Sequence, residues 1–214
     1  MRQALAQGRY DTAFALLERA AQRPRRRRAR ALYRLHLAAL YALYGDDGLE
    51  HGSGALQAAV ETDSYVLELP LYWALYWEFG ALAGESPDEV EKGLHAVLES
   101  GDAEALYHAA SALYTGGSLD RMLEFVQGVD EEALPGYLRW RKWSLLGLAL
   151  EELGLLGEAV VAYEKSVELS TGADEQLERL ALAGCLLELR RPQEALGGLA
   201  QLDEELLELD DAVL

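Results

Sequence analysis

The sequence predicts an all-α protein built from repeated helix pairs, and three observations support this fold class. Apolar residues recur at the i, i+3, i+4 and i+7 spacing of an amphipathic helix almost throughout the 214 residues. A sustained alternation of apolar and polar residues, which would indicate a strand, is absent from the sequence. Alanine, leucine, glutamate and arginine, all strong helix formers, dominate the composition. Similar helical segments also recur at a nearly constant interval along the chain.

Glycine and proline mark where the predicted helices end and begin. Glycines follow four helical segments, as C-terminal caps do: Gly45, Gly84, Gly117 and Gly154. Prolines lie near the starts of four others, where a helix tolerates proline: Pro70, Pro87, Pro135 and Pro192. The pattern predicts eleven helices, at about 9–22, 26–44, 53–62, 69–83, 87–99, 102–115, 118–128, 136–153, 156–169, 174–190 and 193–208.

One segment, 140–171, carries a motif with fixed spacing. Its matching residues are Trp143, Leu146, Gly147, Leu150, Gly154, Ala159, Tyr163 and Ser166. This series resembles the tetratricopeptide (TPR) pattern W-x-x-L-G-x-x-Y followed by A-x-x-x-F, which has a period of about 34 residues. It departs from that pattern at Leu150, Ser166 and Thr171. Small residues at Gly147 and Ala159 are expected to let the two helices of the pair approach closely.

Weaker copies of the same pattern cover nearly the whole chain. The equivalent position on the second helix of each pair is occupied in turn by Ala13, Ala55, Val90, Met122, Ala159 and Ala195. The spacings between these positions are 42, 35, 32, 37 and 36 residues. The sequence therefore predicts a single TPR-like domain, with a half repeat at 1–24, repeats at about 25–64, 65–100, 101–135, 136–172 and 173–208, and an acidic tail at 209–214.

The TPR resemblance implies a right-handed α-solenoid whose concave surface is lined by the first helix of each pair. In this family that groove usually binds peptides or helices of other proteins. Transferring the groove positions repeat by repeat selects Leu32, Leu35, Ala39, Leu71, Ala74, Glu78, Glu104, Tyr107, Ser111, Tyr114, Arg141, Ser144 and Leu148, followed in the last copy by Leu177, Leu180 and Gly184.

These groove residues are apolar and aromatic with acidic patches. Some family members clamp a partner's carboxylate with Lys, Asn and Arg, but this chain has no asparagine and offers only Arg141 at those positions. An amphipathic, basic or apolar segment of a partner protein is the expected ligand. Four aromatic residues within one helix would cover more than one face, so one or two are expected to be exposed as anchors for a partner: Tyr72, Trp73, Tyr76 and Trp77.

The charge is strongly acidic overall but unevenly distributed. The chain has 19 basic and 37 acidic residues, a formal net charge of −18. This balance excludes the molecule as a whole as a non-specific nucleic-acid binder, because its field repels phosphate. Residues 1–45, however, contain ten arginines and only Asp11 and Glu18 as acids.

Most of the basic residues fall between Arg23 and Arg34, and three interpretations of them remain open. They form structural contacts, or the basic end of one protomer meets the acidic face of another, or they contact nucleic acid. The predicted N-terminal half repeat also leaves its helix without a full cover, which suggests a homodimer through this end or contact with another protein. The residues of this second contact surface are Phe14, Arg25, Arg26, Arg27, Arg28 and Arg30.

No constellation of residues predicts catalysis, and no metal or cofactor site is expected. The four histidines are far apart in sequence, and His36 and His108 are expected to be solvated or to line the groove. The segment from Asp46 to Gly54 is read as a flexible insert between helices, since it fits neither a phosphate-binding nor a calcium-binding loop. Cys185 is read as a small buried apolar residue.

The remaining features predict a cytoplasmic protein. A single cysteine excludes an intrachain disulfide, and neither a signal peptide nor a membrane span is predicted. The absence of isoleucine and asparagine fits a GC-rich bacterial genome and a heat-adapted host. At the C-terminus, Leu202, Leu206 and Leu209 form one apolar stripe among acidic residues, as in a helix that closes a solenoid.

The function predicted from the sequence is a non-enzymatic scaffold or adaptor that binds a segment of a partner protein in the concave groove. The alternative is a regulatory module associated with transcription control, in which the Arg23–Arg34 cluster contacts nucleic acid.

Overall fold

A computed structural model describes residues 10–22 and 26–202 of the chain, and these residues form an all-α structure. They contain eleven α-helices and no strand. The helices are α1 Tyr10–Gln22, α2 Arg27–Ala42, α3 Leu49–Thr62, α4 Pro70–Leu82, α5 Pro87–Leu98, α6 Ala103–Thr115, α7 Leu119–Gly128, α8 Gly136–Glu152, α9 Leu156–Leu169, α10 Ala173–Glu188 and α11 Pro192–Leu199. Short 3₁₀ helices lie at Gly45–Gly48, Ser64–Glu68 and Glu131–Ala133.

The predicted all-α class is confirmed, and most helix bounds agree within two residues. The largest differences concern α3, which begins at Leu49, and α11, which ends at Leu199. The predicted closing stripe at Leu206 and Leu209 lies outside the described residues.

The expectation of a flexible insert at 46–54 is wrong. Gly45–Gly48 is a 3₁₀ helix, and α3 follows it without a break. Two of the glycines there serve close packing: a Cβ on Gly48 would lie 1.8 Å from the Tyr41 carbonyl oxygen, and one on Gly52 would lie 2.3 Å from the Phe79 ring. The number of glycines suggested flexibility, but glycine also permits the close approach of neighbouring side chains and backbone.

The chain divides into two compact units, residues 10–134 and the part that begins at Pro135. In the first unit, consecutive helices pack against one another, and α4 also packs along α6. Its core contains Leu35, Leu75, Leu113 and Phe125, all almost fully buried. In the second unit, α8, α9, α10 and α11 pack in sequence, with Leu138 and Tyr163 fully buried between them.

The two helices that contain the motif at 140–171, α8 and α9, are antiparallel. Ser166 donates a hydrogen bond to the Trp140 carbonyl oxygen (3.0 Å), and Tyr163 donates one to the Glu151 carboxylate (2.6 Å). A Cβ on Gly147 would lie 2.7 Å from the Tyr163 ring. The expectation that Gly147 and the fully buried Ala159 allow close helix approach is confirmed.

Four helices, α4, α6, α8 and α10, end with the same backbone motif. In each, a residue in the left-handed region follows the helix, and the next amide donates to a carbonyl five residues back; for α6 this bond joins the amide of Ser118 to the oxygen of Leu113 (2.8 Å). The left-handed residues are Gly84, Gly117, Gly154 and Arg190, with φ of 88°, 77°, 73° and 58°. They recur at intervals of 33, 37 and 36 residues, so the repeat is visible in backbone geometry.

Candidate functional site

The predicted groove residues of the first unit are mostly covered. Those that are partly accessible are Leu32, Glu104, Ser111 and Tyr114. Those that are buried are Leu35, Ala39, Leu71, Ala74, Glu78 and Tyr107. A partner could reach the buried side chains only by displacing neighbouring helices, so only the four partly accessible positions of this predicted groove remain open to a partner.

The register of α4 explains much of this burial. The TPR pattern places a small residue at the position that Trp77 occupies in α4. The small residue lies instead on the facing helix, α5: a Cβ on Gly93 would lie 1.9 Å from the Trp77 ring. With large and small positions exchanged, Trp73 and Tyr76 are exposed, at 41% and 46%, whereas Tyr72 is buried. The expectation that one or two of the α4 aromatic residues are exposed is confirmed.

An open groove, here called the aromatic groove, lies in the first unit between α3, α4 and α5. Its volume is about 980 Å³. Apolar and aromatic side chains dominate its lining, with Glu61, Glu85, Glu89 and Lys92 as its charged residues. The sequence predicts exposed aromatic residues on this helix but not the groove, because the groove depends on how three helices meet.

The predicted groove positions of the second unit are accessible. Arg141 and Ser144 are partly exposed, and Leu148 is exposed. On α10, four residues with i, i+3, i+7 and i+10 spacing share one exposed face: Leu177, Leu180, Gly184 and Leu187. The exposed fractions of these leucines and Leu148 lie between 38% and 52%. We call these five residues the α8–α10 face.

A hydrogen bond joins the two helices of this face. Ser144 donates to the Glu178 carboxylate at 2.8 Å, and Glu178 is adjacent to Leu177. Burial raises the pKa of Glu178, while the neighbouring hydroxyls of Ser166 and Ser144 and the charge of Arg141 oppose that rise. This polar contact joins α8 to α10.

A buried polar pair joins α4 and α6. His108 Nδ1 and Glu78 Oε2 are 2.7 Å apart, and both side chains are excluded from solvent. Burial lowers the pKa of His108, but the charges of Glu78, Glu104 and Asp102 and the hydrogen bond with Glu78 outweigh it, so that the pKa is raised. The expectation that His108 is solvated or lines the groove is wrong, because α4 covers it. Its Nε2 has no hydrogen-bond partner.

Two arginines in the described part of the cluster, Arg28 and Arg34, make structural contacts. The guanidinium of Arg28 lies 3.1 Å from the centre of the Tyr65 ring, and Arg34 donates to the Ala58 carbonyl oxygen at 2.8 Å. Arg26 and Arg27 are exposed, Arg30 is partly exposed, and Arg25 lies outside the described residues. These contacts favour the structural interpretation for Arg28 and Arg34.

The first described helix is better covered than expected. Phe14 is half-buried, with its ring 4.7 Å from that of Tyr41, and Leu17 and Ala21 are buried. Its own chain therefore covers most of the apolar surface that was assigned to a partner. A homodimer through this end stays a prediction.

Cys185 is fully buried, and its thiol lies 3.4 Å from the Leu156 carbonyl oxygen. Burial is the main reason that its pKa is raised, with Glu151 and Glu188 adding to the effect. A high thiol pKa opposes formation of a nucleophilic thiolate. The interpretation of Cys185 as a buried apolar residue is confirmed.

No protein-family model matches the chain, and no curated protein matches it. Within 10–22 and 26–202, no group of three or more His, Cys, Asp or Glu side chains is arranged to hold a metal ion. None of the helices in those ranges combines the length and the apolar character needed to cross a membrane.

Proposed function

We propose that this protein is a non-enzymatic scaffold that binds a segment of a partner protein on the α8–α10 face. In this proposal the helices stack as a right-handed, TPR-like α-solenoid. The helix ends that recur at intervals of 33, 37 and 36 residues support such a stack. The observation that carries the binding proposal is the exposure of leucines on the positions that the repeat pattern assigns to the groove.

The α8–α10 face has the character of a docking surface. Exposed apolar area costs about 25 cal/mol per Å² relative to burial, and a partner that covers four leucines would recover much of that free energy. Gly184 lies among them, with nothing within 4 Å of the position of a Cβ. The backbone of a bound segment can therefore approach α10 closely at this point.

The charge of the chain suggests which segments fit. Glu188 lies beside Leu187 and is exposed, and the molecule carries a net charge of −18. An amphipathic segment with apolar anchors and basic residues at its edges complements this surface, whereas an acidic segment is repelled.

The proposal is tested by selecting peptides from a random library on the wild-type protein and measuring their affinities for two variants. Leu180→Glu places a charge within the face, and Val161→Glu makes the same kind of change at an exposed residue of α9 outside it. We expect Leu180→Glu to weaken binding by at least about tenfold, since a central apolar contact is lost, and Val161→Glu to leave it unchanged. Failure to select any peptide, or equal affinity for both variants, would contradict the proposal.

A further inference from the structure

The aromatic groove between α3, α4 and α5 differs from the α8–α10 face in its position, its shape and its charge. It lies within residues 49–93 and encloses about 980 Å³. Ligand pockets in proteins have volumes of about 300–1,000 Å³. This groove therefore has room for several side chains of a bound segment.

Two glycines hold the rings of the groove in place. Trp77 packs against Gly93 of α5, and Phe79 packs against Gly52 of α3, each so closely that a Cβ on the glycine would overlap the ring. Packing against both walls fixes these two side chains before any ligand binds. Binding then costs little side-chain entropy, which favours affinity. Tyr76, whose ring lies 5.2 Å from that of Trp77, remains exposed.

Acidic residues outnumber basic residues around the aromatic groove. Glu61 comes from α3, Glu89 from α5, and Glu85 from the turn between α4 and α5, while Lys92 is the one basic lining residue. All four side chains are exposed, so they can meet a ligand without rearrangement of the helices. Carboxylates around an apolar floor repel phosphate and anionic lipid and attract ammonium and guanidinium groups.

We propose that the aromatic groove is a second docking surface, which takes a basic amphipathic segment of another protein. Bulky apolar side chains of that segment lie against Tyr76 and Trp77, and its Lys or Arg residues meet Glu61, Glu85 and Glu89. Binding depends on both the apolar volume and the negative charge of the groove, so an acidic peptide of the same apolar content binds poorly. The groove lies in the first unit and does not depend on the α8–α10 face.

The probe is a fluorescein-labelled synthetic peptide of about 14 residues, four turns of helix, with Leu and Trp on one face and Lys on the other. A matched peptide carries Glu in place of every Lys. Fluorescence anisotropy measures the Kd of each peptide for the full chain. We expect the basic peptide to bind and the acidic peptide to bind at least about tenfold more weakly, with an affinity for the basic peptide that falls as salt rises.

Two variants change the groove, and each has a matched control. Ser53→Trp fills the groove from the exposed wall of α3, and Leu16→Trp adds a tryptophan at an exposed position of α1. Glu61→Lys reverses a charge at the end of α3, and Glu99→Lys makes the same change at the end of α5, outside the lining. Circular dichroism verifies that all four variants are folded.

We expect Ser53→Trp and Glu61→Lys each to raise the Kd of the basic peptide by about tenfold or more and the two controls to change it by less than about twofold. Three results would overturn the proposal: no binding of the basic peptide, equal binding of the acidic peptide, or equal losses in Glu61→Lys and Glu99→Lys, which would indicate non-specific attraction to an acidic chain. The losses caused by Ser53→Trp and Glu61→Lys are expected to be the same in a Leu180→Glu background, where the α8–α10 face is disrupted, so the two binding proposals can fail separately.

Discussion

At the scale of single residues, the buried contact between Glu78 and His108 places two ionisable groups within the core. The two side chains join α4 to α6 across a distance of 2.7 Å. A buried pair of this kind contributes little net stability, because desolvation of both groups offsets their attraction, but removal of one partner leaves the other buried without compensation.

We therefore expect Glu78→Met alone, or His108→Leu alone, to lower the free energy of unfolding by about 3–5 kcal/mol. The double variant Glu78→Met/His108→Leu should recover most of that loss, since two apolar side chains then fill the site. Urea unfolding followed by circular dichroism measures all four proteins. A double variant as unstable as the sum of the two single variants would contradict this account of the pair.

The same contact makes stability depend on pH. The pKa of His108 is raised in the folded state, so the folded protein binds a proton more tightly than the unfolded chain does. This contribution is fully present below the unfolded pKa of about 6.5 and is lost as pH rises through the higher folded value. We expect the melting temperature of the wild type to fall over this window more steeply than that of Glu78→Met/His108→Leu. Parallel pH profiles for the two proteins would exclude the effect.

At the scale of helices, the end of α10 is strained where the other three repeated ends are relaxed. Arg190 occupies the left-handed position, with φ of 58°, that Gly84, Gly117 and Gly154 occupy in α4, α6 and α8. A residue with a Cβ in this conformation lowers the free energy of unfolding by about 1–2 kcal/mol.

Arg190→Gly is expected to raise the free energy of unfolding by about 1 kcal/mol, because glycine adopts this conformation without strain. Arg190→Ala removes the side chain and keeps the strain, so it should give no such gain. Gly117→Ala makes the reverse change where nothing lies within 4 Å of the new Cβ, and it should cost about 1 kcal/mol. Denaturant unfolding of the three variants is the measurement, and a gain in Arg190→Ala equal to that in Arg190→Gly would contradict the role of backbone strain.

The approach of α8 to α9 depends on Gly147. Its hypothetical Cβ lies 2.7 Å from the ring of Tyr163, which is fully buried and donates a hydrogen bond to Glu151. Gly147→Ala should lower stability by about 1–3 kcal/mol through overpacking. Gly184→Ala, also within a helix but with no neighbour within 4 Å, should raise stability by up to about 1 kcal/mol. Thermal unfolding distinguishes the two, and a stabilised Gly147→Ala protein would show that the ring can move aside.

At the scale of the whole molecule, the formal net charge of −18 dominates the long-range electrostatics. Repulsion among acidic side chains destabilises the compact state. Salt shortens the range of this repulsion, from about 30 Å at an ionic strength of 0.01 M to about 8 Å at 0.15 M.

We expect the melting temperature to rise as NaCl is added over this range. Equal ionic strengths of NaCl and KCl should give equal shifts, because screening does not depend on the identity of a monovalent ion. A melting temperature that falls with added salt would indicate that attractive ion pairs outweigh the net repulsion.

The fold class and the helix positions could be predicted from the sequence because they depend on local patterns. Apolar residues at helical spacing indicate helices, and glycine and proline locate their ends, as Gly117 and Pro87 do. The segment around Gly48 and Gly52 could not be predicted in this way. The sequence does not distinguish a glycine that makes a loop flexible from a glycine that allows a ring to pack against the backbone.

The predicted groove positions differ in accessibility for a related physical reason. Those on α10, such as Leu177 and Leu180, are exposed, whereas those on α4, such as Leu71 and Ala74, are buried. In α4 the exchange of large and small residues between Trp77 and Gly93 changes which face meets a neighbour. The exchange of large and small positions is visible in the sequence, but groove positions transferred from a regular repeat do not take it into account.

The sequence by itself determined the all-α class, the positions of the helices and the separation of a basic N-terminal segment from an acidic remainder. Those properties follow from the local spacing and the charge of the residues. Only the tertiary structure decided which groups are removed from water: it buried Glu78 against His108, exposed Tyr76 and opened the groove beside it. Burial depends on how neighbouring helices meet, and residues far apart in sequence set that geometry.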